Sequence, residues 1–116
     1  ANAYIAGELK HGPIALLDEN MPVVAVLIPG GQSYAKTLSN CEEAKARNAK
    51  MIAVSSAPRQ ELESVFDDVI SIPSVSEDLS PILTALPMQM FAYYVSDLLG
   101  REIDQPRNLA KSVTVE

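Results

Sequence analysis

The one histidine of the chain stands in a short run of residues that suits proton transfer. The run GELKHGP, residues 7–13, places Glu8 and His11 between two glycines. An imidazole titrates near neutral pH, a nearby carboxylate can exchange protons with it, and glycines let a backbone approach a ligand closely. A solvent-exposed turn with a surface histidine has the same composition, so spacing alone leaves both interpretations open.

A second candidate is a lysine that lies among small and apolar neighbours. The segment 104–116 reads DQPRNLAKSVTVE, and Lys111 is the lysine within it. An amine that is removed from water loses its charge more readily and can attack a carbonyl to form a Schiff base. An exposed lysine on a frayed chain end is the alternative interpretation.

Two further features have ordinary structural explanations. The PGGQS turn at residues 29–33 joins a strand to a helix, where free amides could hold an anion. Most such turns look like this, with a serine such as Ser33 at the N-cap. Cys41 falls on the apolar stripe of the following helix, which favours a buried and unreactive thiol.

The elements that must position these residues alternate between strands and helices. Apolar runs predict strands at 22–28, 50–55 and 68–72, and helical spacing predicts helices at 33–48, 60–66 and 80–100. This order gives βαβ units and an α/β fold with a doubly wound parallel sheet. Because an average sheet has about five or six strands, we expect the sheet to be incomplete in this chain.

Composition excludes several classes of partner. A net charge of −6 and a pI near 4.7 argue against nucleic acid and anionic membranes as partners. The single cysteine, Cys41, rules out an internal disulfide and provides too few thiols for a structural zinc site. We expect no membrane span, no metal and a cytoplasmic location. The start at Ala1 rather than methionine suggests a cut chain.

With its motifs at residues 7–13 and 104–116, the chain resembles the glutamine-fructose-6-phosphate aminotransferases over essentially its whole length. The resemblance implies an SIS-type sandwich, with the carboxy-terminal part of the second SIS (sugar isomerase) domain at residues 1–103. A C-terminal tail that carries the active-site lysine follows at 104–116. In this family, ammonia from glutamine is transferred to fructose 6-phosphate, giving glucosamine 6-phosphate and glutamate without a metal or redox cofactor.

The resemblance also implies roles for individual residues. Lys111 matches the lysine that engages the sugar carbonyl as an imine, and His11 matches the histidine implicated in opening the sugar ring. Glu8 is a second candidate acid or base. In related enzymes the histidine serves the neighbouring subunit's site, which implies a homodimer. Ala110 matches a residue whose backbone contacts the substrate. Arg107, Asn108 and Leu109 match the tail segment near the glutaminase side.

The site implied in this way is incomplete. In family members the phosphate-binding loops, the glutamate base for isomerisation and the glutaminase cysteine all come earlier than the segment seen here. We therefore expect the chain to need the glutaminase domain and the first SIS domain of a longer protein, and to be inactive alone. The alternative is a free-standing SIS-like module that binds sugar phosphates without catalysis, and that would not need Lys111.

Overall fold

A computed structural model describes residues 2–105 of the chain. Within them the strands are β1 (Pro22–Leu27), β2 (Lys50–Ser55) and β3 (Asp68–Ser71), and the α-helices are α1 (Tyr34–Lys45), α2 (Arg59–Leu62) and α3 (Ser80–Leu98). Short 3₁₀ helices occupy Ala6–His11, Pro13–Leu16 and Glu77–Leu79. The chain divides into two compact units, one ending at Thr84 and the other beginning at Ala85.

The three strands form a parallel sheet in the order β1, β2, β3. Ala53 of β2 pairs with Ala25 of β1 on one side and with Val69 of β3 on the other. Met51 and Val54 of β2 point to opposite faces of the sheet and both are fully buried, as is typical of parallel sheets that are covered on both faces. The predicted α/β class with a parallel sheet is confirmed.

The core of the first unit gathers side chains from β1, α1, β2 and the segment around α2. On α1, Cys41 and Ala44 are buried, while Tyr34 and Leu38 are half-buried and pack against the same core. These residues recur every three or four positions, so the amphipathic stripe predicted for this helix is confirmed. Leu9 of the first 3₁₀ helix and Leu17, which follows the second, also pack against this core.

A buried hydroxyl joins the carboxyl ends of β1 and β2. Ser55 is fully buried, and its Oγ donates a hydrogen bond of 2.6 Å to the Leu27 carbonyl oxygen. The same Oγ accepts a hydrogen bond of 3.1 Å from the backbone N–H of Ala57. The Ser55 hydroxyl, the Leu27 carbonyl and the Ala57 N–H thus all have hydrogen-bond partners inside the core, as buried polar groups require.

A carboxylate joins the other end of β2 to α1 and β3. Asp67 precedes β3, and its two oxygens accept hydrogen bonds from Lys45 Nζ (2.6 Å) and from the backbone N–H of Met51 (2.8 Å). The hydrogen bond from Lys45, followed by that from Met51, lowers the pKa of Asp67. The charged form of this side chain therefore helps to hold three elements together.

An arginine lies at the edge of β3 that faces no other strand among residues 2–105. The Ile72 N–H donates to the Ser55 carbonyl oxygen (3.0 Å), so the backbone of Ile72 faces β2. Successive residues of a strand direct their backbone groups to opposite sides, so Val69, three residues earlier, directs its carbonyl away from β2. Arg59 Nη2 donates to this carbonyl over 3.4 Å. An edge carbonyl with a donor in place is less available for pairing with a strand of another molecule.

Helix α3 begins at residue 80, where the predicted helix begins, and runs through Pro87 to Leu98. The helical apolar spacing of residues 80–100 indicates core packing for Met90 and Phe91. In the second unit they are 51% and 40% exposed, so this interpretation is wrong. As far as residue 105, this unit holds no other helix or strand that could cover them. Among residues 2–105, no helix combines the length and hydrophobicity needed to cross a membrane.

Candidate functional site

The predicted proton-transfer run folds as a 3₁₀ helix, Ala6–His11, and not as an open turn. Its first turn is closed by a hydrogen bond of 2.8 Å from the Glu8 N–H to the Ile5 carbonyl oxygen. It ends at Gly12, whose φ of 154° and ψ of −59° are accessible to glycine but not to residues with a Cβ. Pro13 then starts a second 3₁₀ helix with its fixed φ.

Three residues per turn place Glu8 and His11 on the same side of this helix. In a 3₁₀ helix the side chains at positions i and i+3 eclipse one another, and both of these residues are exposed. Within residues 2–105, neither side chain forms an ion pair or a hydrogen bond. As far as the described residues go, an imidazole and a carboxylate are thus presented together on the surface.

A cleft of about 520 Å³ lies on another side of the same 3₁₀ helix, between it and α1. Lys10 and Lys36 line it together with Glu43, while Glu8 and His11 do not. Around the cleft are also Ile5, Ala6, Gly7, Ser33, Ser39 and Asn40. The candidate proton-transfer pair and the cleft therefore occupy separate surfaces.

The turn after β1 is an ordinary strand-to-helix connection. Ser33 stands at the N-cap of α1, but its side chain makes no capping hydrogen bond and its backbone is helical. A Cβ at Gly31 would lie 2.7 Å from Oε1 of Glu77, so a carboxylate packs directly on this turn. A phosphate would be repelled by that charge, which favours the structural interpretation over an anion site. No pattern in the sequence indicates that Glu77 approaches this turn.

Cys41 is 5% exposed. Burial, followed by the charge of Glu42, raises the pKa of its thiol to about 11. Since the thiolate is the reactive form, this residue belongs to the core and not to a nucleophilic site, as predicted. Among residues 2–105, no three His, Cys, Asp or Glu side chains are grouped so that they could hold a metal ion.

The remaining candidates lie at residues 106–116, outside the described residues. The assignment of Lys111 as the imine-forming amine therefore stays a prediction. The same holds for the tail residues that were expected to contact substrate or to position the tail, namely Ala110, Arg107, Asn108 and Leu109. The boundary predicted between residues 103 and 104 also stays a prediction.

Comparison with curated proteins finds relatives that match the whole chain. The chain is 54% identical over 116 residues to a protein named glutamine–fructose-6-phosphate aminotransferase (isomerizing) from Gloeobacter violaceus. It is 54% identical to the protein of that name from Thermus thermophilus and 52% identical to that from Aquifex aeolicus. The chain spans only 19% of the length of each of these relatives.

A solved structure and a family description agree with these relatives. The C-terminal domain of glucosamine-fructose-6-phosphate aminotransferase from Francisella tularensis superposes with a TM-score of 0.76 at 39% identity. The match covers 89% of this chain and 29% of that one. The SIS domain family matches residues 1–96, which include all three strands and most of α3. The chain therefore belongs to the SIS domain family.

Proposed function

We propose that this chain is the part of a glutamine–fructose-6-phosphate aminotransferase that contributes residues to the isomerase site. The observation that carries the proposal is 54% identity across all 116 residues to relatives of that name. Both motifs, at residues 7–13 and 104–116, fall inside the matched region. The complete enzyme would convert fructose 6-phosphate and glutamine into glucosamine 6-phosphate and glutamate.

The chemistry requires a free sugar carbonyl, which the ring form of a ketose lacks. Ring opening moves a proton from the anomeric hydroxyl to the ring oxygen, and the imidazole of His11 is suited to carry it. The amine of Lys111 then adds to the carbonyl carbon, water leaves, and an imine forms. Glu8 serves as a second acid or base beside His11.

The exposed Glu8–His11 surface supports a site that other polypeptide segments complete. Both side chains point away from the core, and neither lines the cleft beside α1. The proposal assigns those segments to the glutaminase domain and first SIS domain of a longer protein and to a second subunit of a homodimer. Ala110 contacts the substrate, and Arg107, Asn108 and Leu109 position the tail. The location is cytoplasmic.

A transplant tests this proposal. The matching segment of the Thermus thermophilus relative is replaced by this chain, and glucosamine 6-phosphate formation from fructose 6-phosphate and glutamine is measured. We expect an active chimera in which His11→Ala lowers kcat/KM by roughly 10²- to 10⁴-fold, the usual contribution of a general acid–base group. Lys10→Ala is the matched control and leaves the rate nearly unchanged. A folded but inactive chimera, or one indifferent to His11→Ala, refutes the proposal.

The chain on its own provides a separate test. Mixed with fructose 6-phosphate and ammonia, it should form no glucosamine 6-phosphate, because the phosphate-binding loops and the isomerisation base are expected on other segments. Turnover by the isolated chain would show that this expectation of incompleteness is wrong. Binding of the sugar phosphate that survives Lys111→Ala, without turnover in the chimera, would instead favour a non-catalytic binding module.

A further inference from the structure

The 3₁₀ helix Ala6–His11 has three sides, and each faces a different environment. Leu9 is half-buried and packs against the core of the first unit. Gly7 and Lys10 line the cleft beside α1, and Ala6 at the start of the helix also borders it. Glu8 and His11 form the exposed side. From Gly7 to His11, these assignments follow the period of three residues per turn, because Gly7 and Lys10 share one side and Glu8 and His11 share another.

Leu9 is the large apolar side chain that this helix places on the core. The residues that share its turn are a glycine, two charged side chains and the histidine, and Ala6 contributes only a methyl group. None of the six residues is fully buried. A single turn or two of 3₁₀ helix is marginal by itself, so packing has to hold it in place.

We propose that Leu9 is the positioning residue that sets the direction of His11 and Glu8 for the reaction. The inference rests on the proposed function. In a helix with eclipsed side chains, anchoring one side fixes the rotation of the other two, so seating Leu9 on the core aims the imidazole outward. Gly12, with its φ of 154°, interrupts the helix directly after His11. The second 3₁₀ helix therefore does not continue the first and cannot fix its rotation about its own axis. The direction of His11 then depends on the packing of Leu9.

The test is a double-mutant cycle in the Thermus thermophilus chimera. Leu9→Ala should lower kcat/KM by roughly 10- to 100-fold, since a displacement of about 1 Å can cost that much. If Leu9 acts through His11, adding Leu9→Ala to the His11→Ala chimera should cause no further fall in kcat/KM, because the contribution of His11 is already lost. Leu9→Met, which keeps the apolar volume, should restore most of the rate.

A control separates positioning from a general loss of stability. Val69 is also half-buried and packs against the same core, but it lies on β3. Val69→Ala should lower the thermal midpoint of the chimera without a comparable loss of rate, and any loss should persist in the His11→Ala background. If Leu9→Ala prevents folding, Leu9→Val gives the same comparison with a smaller truncation.

The outcomes distinguish this inference from the proposed function. If His11→Ala has no effect, the proposed function fails, whatever Leu9 does. If His11→Ala slows the reaction but the folded Leu9 variants do not, Leu9 is not a positioning residue. If the loss caused by Leu9→Ala is equally large with and without His11, Leu9 acts through stability alone, and the inference is overturned.

Discussion

The buried hydroxyl of Ser55 joins two strands of the sheet, and Ser55→Ala tests how much its hydrogen bonds contribute to stability. The side chain is fully buried at the carboxyl end of β2. Its Oγ donates to the Leu27 carbonyl oxygen over 2.6 Å and accepts from the Ala57 N–H over 3.1 Å. The substitution removes one oxygen that bonds to two backbone groups, one at the end of β1 and one just after β2.

The expected cost follows from what is left behind. Ala57 is 4% exposed, so its N–H has little access to water that could replace the lost acceptor. An unsatisfied buried polar group costs about 1–3 kcal/mol, and the carbonyl of Leu27 loses one donor. Because alanine fills nearly the same space, little cavity energy is added. We expect Ser55→Ala to lower the free energy of unfolding by about 2 kcal/mol.

Urea denaturation followed by circular dichroism measures this change. With a slope of about 1–1.5 kcal/mol per molar urea for a chain of this size, the midpoint should fall by roughly 1–2 M. Ser64→Ala, at an exposed position after α2, is the matched control and should stay within about 0.5 kcal/mol of the parent chain. A Ser55→Ala chain as stable as the control would refute the role given to this hydroxyl.

Three other predictions concern the charged and titratable groups of the first unit. Asp67→Asn should cost about 1 kcal/mol at pH 7, discounted for exposure. Because the pKa of Asp67 is lowered in the folded state, its contribution to the free energy of unfolding is present above about pH 4. This contribution is lost as the pH falls through the folded-state pKa. Denaturation curves of the parent chain and of Asp67→Asn should therefore converge in acid and not in base. With a thiol pKa of about 11, native Cys41 should react with a disulfide reagent at pH 8 about 100-fold more slowly than in urea, and equal rates would contradict its burial. Arg59→Ala should leave stability within about 1 kcal/mol but increase self-association in sedimentation, because the Val69 carbonyl loses its donor. Self-association equal to that of the parent chain would contradict this.

The sequence predicted those elements whose pattern is local. The run at residues 50–55, KMIAVS, has an apolar centre with two β-branched residues, and the strand occupies those residues. The short helix was predicted at residues 60–66, but it ends at Leu62. Val65 and Phe66 leave the helix and enter the core as a hydrogen-bonded turn. Where a residue turns inward to meet the core, helical periodicity alone does not mark the boundary.

The parts that were not predicted depend on partners distant in the chain. The run at residues 7–13 has two glycines and a proline, which indicate a turn, and it folds as a 3₁₀ helix while Leu9 packs on the core. Ser55 and Asp67 were not singled out, because their partners stand 28 and 16 residues away. Glu77 reaches the turn after β1 only in the folded chain. His11 and Glu8 were found from sequence because both lie within one turn of each other.

The central claim is that the amine of Lys111 meets an open-chain ketose as an imine. Borohydride added to the working chimera with fructose 6-phosphate should reduce that imine, and peptide mapping by mass spectrometry should locate the sugar adduct on Lys111. The adduct and the activity should both be absent in Lys111→Arg. A chimera that turns over substrate while no adduct forms, or while the adduct maps to another lysine, would contradict the account.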